Sequence, residues 1–335
     1  MKAFIKHISY YVPEKKLTND ELAVLFPEWD ADSIFQRTGI KERGISAENE
    51  LSSDKAVKAA NLLFSEYDID ISTIDFLIFC TQTPDYITPS SACLIQHRLG
   101  LKKSIGALDV NLGCTGFVYI LGLAKGMIEA NIARNILLLN SESLTGLLHP
   151  KDKSSRIVFG DAATAVLVSG RDNQGIGEFV FGTNGVGADY MIIKAGGFRN
   201  PFKDNIITEF TDDTGNTSSD EFFYMKGTSI LSFTLDVGPK MVNELLQMTS
   251  QTKDDIDYYI FHQANAFVLQ LLQKKLNIPS ERFCINLSNT GNTVSCTIPI
   301  ALRDSLDTGK IKQGDKVMCV SFGVGLSWAA TIITV

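Results

Sequence analysis

Two stretches of this chain carry nearly the same residues in the same local setting. Ile74-Asp-Phe-Leu-Ile-Phe-Cys-Thr81 and Ile256-Asp-Tyr-Tyr-Ile-Phe-His-Gln263 begin 182 positions apart and share I-D-x-x-I-F. Each is a near-continuous apolar run, as expected of a strand covered on both faces. The elements around them follow one order. In the first half the patterns predict a helix over 52–64, the strand, a helix over 89–98, a strand over 105–111, a glycine turn, a helix to about 130 and a strand over 134–140. In the second they predict a helix over 239–248, the strand, a helix over 266–276, a strand over 282–287, a glycine turn, a helix over 299–306 and a strand over 316–321. Repeated βα units with buried strands imply parallel-rich sheets covered by helices. Two such sets imply a duplicated α/β fold about a pseudo-twofold axis. We expect one half over 1–175 and the other over 176–335, with a loop-rich insertion at about 182–228 where Gly, Asn, Asp and Thr accumulate. That insertion suits a lid or pocket wall as well as a plain solvated loop.

Composition excludes several functions. Net charge is −7 and the isoelectric point near 5.2, which argues against nucleic acid as a partner. No apolar run is long enough to span a bilayer, and residues 1–12 read as a strand and not as a signal peptide. The cysteines at 80, 93, 114, 284, 296 and 319 form no CxxC pair. They read as reduced thiols of a cytoplasmic protein, with no metal site. Gly182-Thr-Asn-Gly-Val-Gly187 opens no helix after a first strand and is discounted as a nucleotide loop.

The chemistry centres on Asn111-Leu-Gly-Cys-Thr-Gly116, where a strand breaks and an apolar helix begins. Unpaired N–H groups and the positive end of the helix dipole favour an anion there, which predicts a lowered pKa for the Cys114 thiol. Gly113 and Gly116 leave room for a substrate. The position alone more often marks a buried cysteine acting as a small hydrophobe. In the second half His262 ends the mirrored strand, where ligands gather in open α/β sheets, and leads the polar cluster His262-Gln-Ala-Asn265. Asn289-Thr-Gly-Asn-Thr293 takes the place that the Cys114 turn takes in the first half. The pseudo-twofold would therefore bring His262 and Asn292 towards Cys114, giving a nucleophile, a base and hydrogen-bond donors for an oxyanion.

These residues resemble the thiolase-fold condensing enzymes, and most closely the β-ketoacyl-[acyl-carrier-protein] synthase III family. The resemblance runs almost the full length through Arg37-Thr-Gly-Ile40, Pro89-Ser-Ser-Ala-Cys93, Cys114-Thr-Gly-Phe117, Phe159-Gly-Asp161, His262-Gln-Ala-Asn265, Gly291-Asn-Thr293 and Phe322-Gly-Val-Gly-Leu-Ser-Trp328. It implies a five-layer α-β-α-β-α fold and a homodimer. It also implies a decarboxylative Claisen condensation of an acyl group from acyl-CoA with malonyl-[acyl-carrier-protein], with no metal or redox cofactor. Cys114 would carry the acyl group, His262 and Asn292 would stabilise the enolate, and the N–H groups of Cys114 and Val324 would hold the second oxyanion. By the same resemblance Arg37, Thr88 and Lys153 contact substrate, and Gln263, Ala264, Asn265, Ala266, Phe267, Lys274 and Lys275 face the carrier protein.

This chain departs from the family pattern around substrate access. A Trp often stands four residues before the Arg of R-T-G-I, where Ser33 stands here; Lys153 replaces an Arg, Thr88 a Phe, and Phe267 an Arg. Acyl transfer without condensation would use the same Cys114 and is distinguished by malonyl decarboxylation. A non-catalytic partner chain would usually lack the Cys, His or Asn, and all three are present.

Overall fold

The computed structural model describes residues 1–172, 175–202, 208–213 and 215–335. Its frame is two sheets. The first runs in the order Lys2–Tyr11, Ala162–Arg171, Asn135–Glu142, Phe76–Cys80, Gly106–Val110. Phe76–Cys80 pairs in parallel with both Gly106–Val110 and Asn135–Glu142, and the other pairings are antiparallel. The second runs Tyr258–Phe261, Lys316–Gly323, Ser327–Thr334, Ile176–Thr183, parallel in its first pair and antiparallel after it.

Period-2 alternation sorts the strand residues into layers. Ile78 and Cys80 of the first sheet, and Tyr258 and Ile260 of the second, face inwards onto Phe117, Ile120, Leu121, Ile298 and Leu302. Helices Gly116–Glu129 and Thr297–Asp307 therefore lie between the sheets. Leu77 and Phe79 face outwards onto helices Ser52–Glu66 and Ser91–Arg98. Tyr259 and Phe261 face outwards onto helices Gly227–Met248 and Ala266–Leu276. The result is the α-β-α-β-α layering. Full burial of each such side chain contributes about 1.5–3 kcal/mol, so the apolar strands drive the layering.

Three expectations differ from the structure. The second-half helix begins at Gly227, with Pro239 inside it and not at its start. A proline at that position cannot donate to the Leu235 carbonyl; Lys275 Nζ donates to it instead, at 2.7 Å. The segment 282–287 forms a single bridge, Tyr259 to Phe283, and no strand. The Gln263 side chain takes over its pairing: Oε1 accepts from Asn286 N–H at 2.6 Å while Nε2 donates to the Phe261 carbonyl. The region 182–228 contains two short ladders, Met191–Ile192 pairing Tyr224–Met225 and Phe210–Thr211 pairing Thr217–Ser218. Residues 203–207 and 214 of it lie outside the described residues.

Candidate active site

Cys114 sits two residues before helix Gly116–Glu129, which Thr115 caps. The closing loop of the second sheet covers it. A Cβ on Gly323 would lie 2.7 Å from Cys114 Cβ, so only glycine allows this approach. The main-chain N–H groups of Cys114 and Val324 act to lower the pKa of the thiol. The thiol is nonetheless pushed up to about 12, first by burial and then by the Glu142 carboxylate. This corrects the expectation of a lowered pKa. At 4% exposure the desolvation of a thiolate outweighs what the two N–H groups return, so Cys114 rests as a thiol.

His262 follows directly on strand Tyr258–Phe261 and is buried. Burial lowers its pKa to about 3, so the ring is neutral. Nδ1 lies 2.7 Å from Thr297 Oγ1, which leaves Nε2 for the cavity. Asn292 is clamped to the first half by its own backbone: its N–H donates to the Val158 carbonyl at 2.9 Å, and its carbonyl accepts from Gly160 N–H at 3.0 Å. Val294 takes a left-handed φ of 55°, a conformation that costs a β-branched residue on the order of 1–3 kcal/mol. That turn sends its N–H onto Asn292 Oδ1 at 2.9 Å. With Oδ1 so occupied, the Asn292 NH2 group is presented as a donor.

Cys114, His262 and Asn292 line one cavity of about 190 Å³, walled by apolar residues including Met191, Met225, Ile230, Leu231, Phe267 and Phe322. Cys114 and His262 are the titratable groups in its lining. Two larger grooves, of about 870 and 800 Å³, are open surface depressions that contain none of the three. A groove of about 560 Å³ shares Val158, Met225, Gly227 and Asn265 with the cavity and leads to the surface past Arg37 and Lys153.

Trp29 lies at the mouth of that groove and was missed in the sequence. The Arg37 guanidinium stands 5.4 Å from its ring centre and Lys153 Nζ 5.7 Å, so the indole lies within cation–π range of both. Trp29 precedes Asp30, whose side chain caps helix Ala31–Thr38 through Ser33 N–H at 2.6 Å. The indole thus reaches the groove from eight positions before Arg37, while Ser33 serves the cap. An aromatic residue just outside an N-cap was the signal available.

The other expected contacts divide. Ala264, Asn265 and Phe267 line the cavity. Ala266 packs against Gly39, whose left-handed φ of 73° ends the Arg37 helix. Lys274 and Lys275 are exposed in the last turn of Ala266–Leu276, and Lys275 is engaged with Leu235 as described. Gln263 is buried with its amide spent on the backbone, so it offers nothing to a partner's surface, contrary to expectation. Thr88 is exposed and lies outside its own chain's cavity.

The sequence pattern described as 3-oxoacyl-[acyl-carrier-protein (ACP)] synthase III matches residues 108–185, and that of its C-terminal part matches 246–335. A β-ketoacyl-[acyl-carrier-protein] synthase III of Clostridium perfringens is 37% identical over 324 residues, covering 96% of each chain. One of Campylobacter curvus is 33% identical over 334 residues, 99% of this chain and 97% of its own. A crystal structure of a 3-oxoacyl-(acyl-carrier-protein) synthase III superposes with a TM-score of 0.98 at 44% identity over the whole of both chains. That of the Thermus thermophilus enzyme gives 0.87 at 32% identity, with 99% of each covered. This chain belongs to the β-ketoacyl-[acyl-carrier-protein] synthase III family.

Proposed function

We propose that the protein joins an acyl group from acyl-CoA to malonyl-[acyl-carrier-protein] by decarboxylative Claisen condensation, starting fatty-acid or related chain synthesis. The observation that carries this is the one cavity holding Cys114, a neutral His262 and an Asn292 turned to donate. In acylation the Cys114 thiol attacks the acyl-CoA carbonyl. Nε2 of His262 takes the thiol proton and returns it to the departing CoA sulfur. The oxyanion rests on the N–H groups of Cys114 and Val324. In condensation malonyl thioester loses carbon dioxide, and the enolate oxygen is held by His262 and Asn292. Its carbon attacks the acyl-Cys114 carbonyl, and the Cys114 thiolate leaves and is reprotonated.

Trp29, Arg37 and Lys153 form the CoA end of the path. Ala264, Asn265, Phe267 and Lys274 form the rim that meets the carrier protein. The enzyme acts in the cytoplasm as a homodimer in which Thr88 of one copy closes the acyl site of the other. The exposed Thr88 and the edge position of Gly106–Val110 support that arrangement. Among the described residues no helix is long and apolar enough to cross a membrane. The deciding experiment incubates the protein with acyl-CoA and carboxyl-labelled malonyl-[acyl-carrier-protein]. Release of labelled carbon dioxide together with a 3-oxoacyl carrier product is expected. An acyl-Cys114 adduct without carbon dioxide would favour simple acyl transfer.

A further inference from the structure

Glu142 ends strand Asn135–Glu142 with no exposed surface, and it lines neither the cavity nor the groove. Lys55, on helix Ser52–Glu66, is equally buried. The two are joined through hydroxyls. Lys55 Nζ donates to Ser143 Oγ at 2.5 Å and to Ser46 Oγ at 2.8 Å. Ser143 Oγ lies 3.1 Å from Ser52 Oγ, which lies 2.6 Å from Thr83 Oγ1, and Thr83 reaches Glu142 Oε2 at 3.5 Å.

The carboxyl is held by the segments that flank the nucleophile. Gln82 N–H points at both of its oxygens, at 3.2 and 3.4 Å, and the Gln82 side chain lies against Gly113. Ser295 Oγ stands 3.5 Å from Oε1, and Ser295 backs onto Gly116. The ionisable groups facing Glu142 come from every element around it. They are Asp161, Cys80 from the neighbouring strand, Cys296 from the second-half turn, Cys114 and Lys55. Among the described residues, Lys55 is thus the cation that stands against one other carboxylate and three thiols.

We propose that Glu142 is a positioning residue for the nucleophile: Cys114 sheds its proton while Glu142 is protonated, ionised Glu142 holds the thiol shut, and Lys55 sets the pH of the change. This rests on the reading of Cys114 as the nucleophile. Two negative charges buried in the same part of the core oppose each other, so the groups titrate as a pair. Burial, chiefly, holds the Glu142 pKa near 8, so the permissive form prevails at neutral pH. Asp161 works in the same direction and Lys55 against it.

The test is the pH profile of Cys114 alkylation by iodoacetamide, read by peptide mass mapping. This probe needs no acyl donor, so the outcome is independent of whether the condensation assay succeeds. The wild-type rate is expected to climb to about pH 8 and then flatten as Glu142 ionises. Glu142→Gln keeps an acceptor for Gln82 N–H and should climb without flattening, reaching on the order of tenfold above wild type at pH 9, one unit of coupling. Lys55→Met should move the flattening to higher pH. A Glu142→Gln profile that superposes on wild type, or lies below it at every pH, overturns the proposal. Should that variant not fold, infrared spectra of the wild-type protein decide. A buried protonated carboxyl at neutral pH that disappears where alkylation flattens supports the proposal, and its absence at neutral pH overturns it.

Discussion

Nδ1 of His262 lies 2.7 Å from Oγ1 of Thr297, and both residues are buried. The same hydroxyl lies 3.1 Å from the Val294 carbonyl. Donating to Val294, it accepts from Nδ1–H and leaves Nε2 bare, ready for the thiol proton. Turned onto Nδ1, it suits the other tautomer, in which the ring has given up its Nδ1 proton to water and taken one up at Nε2, and that N–H can donate to an enolate. Rotation of the hydroxyl together with this exchange would serve both half-reactions. Thr297→Val is expected to slow malonyl decarboxylation by on the order of tenfold to a hundredfold while acylation falls much less. Thr297→Ser should restore it. Equal loss in both steps, by single-turnover kinetics, would assign Thr297 to packing alone.

The three cavity residues should separate by step. Cys114→Ala should abolish the acyl adduct in intact-protein mass spectra without loss of the folded state. Asn292→Ala should still acylate Cys114 but lose malonyl decarboxylation by on the order of a hundredfold to a thousandfold, the usual cost of one oxyanion donor. His262→Ala should lose decarboxylation to the same extent. A near wild-type release of carbon dioxide by either variant refutes its role.

Trp29 should matter to binding and not to chemistry. Trp29→Ala removes the aromatic face that lies within reach of Arg37 and Lys153. The expected effect is a rise in KM for acyl-CoA of about fivefold to tenfold, the scale of roughly 1 kcal/mol for a partly desolvated cation–π contact. The rate at saturation should hold. Titration with CoA by calorimetry would check it, and an unchanged affinity would remove Trp29 from the CoA path.

The layers could be read in the sequence because both strand faces are apolar and the second half repeats the first. The pairings of Phe76–Cys80 and Tyr258–Phe261 follow from that pattern. Other features rest on long-range partners that no local pattern encodes. Pro239 reads as a helix start, and only Lys275 explains how its helix extends back to Gly227. Residues 282–287 read as a strand because they are apolar, yet Gln263 spends its amide where ladder bonds would run. The setting of Cys114 between a strand and a helix could be read from the local pattern. The sign of its pKa shift was missed because Glu142, 28 positions away, and full burial enter only through the fold. Trp29 was missed because its distance from Arg37 differs from the family pattern.

Two buried groups should shape stability against pH in opposite senses. Unfolded His262 takes up its proton near 6.5, whereas in the fold it does so near 3. Between those values the unfolded chain binds the extra proton, so this residue's contribution falls as pH falls, by about 1.4 kcal/mol per unit. Glu142 stays protonated in the fold up to about 8 and ionises near 4.5 when unfolded. Its contribution falls as pH rises through that window. The two nearly cancel between about 4.5 and 6.5. Replacing His262 with Gln should expose the Glu142 slope, with urea midpoints falling as pH rises from 5 to 8. A flat midpoint in that variant would show that Glu142 is ionised in the fold.

The proposed role of Thr88 at the end of the acyl site bears on chain length. A Phe at this place would plug the tunnel for an acetyl group, and Thr is smaller by most of a ring. Thr88 is exposed in this chain, as are its neighbours Tyr86 and Ile87. All three are therefore free to project into a second copy. The described parts of 182–228 place Met191 and Met225 on the cavity wall. Each methylene buried in an apolar tunnel contributes about 0.8 kcal/mol, close to fourfold in affinity. Four added methylenes would then favour a medium-chain donor by about two orders of magnitude. Acyl groups longer than acetyl are expected as donors, and Thr88→Phe should return the preference to short ones. Values of kcat/KM from acetyl-CoA to decanoyl-CoA, on a preparation shown to be dimeric by light scattering, measure both. A wild-type preference for acetyl with no response to Thr88→Phe would assign chain length to another wall of the site.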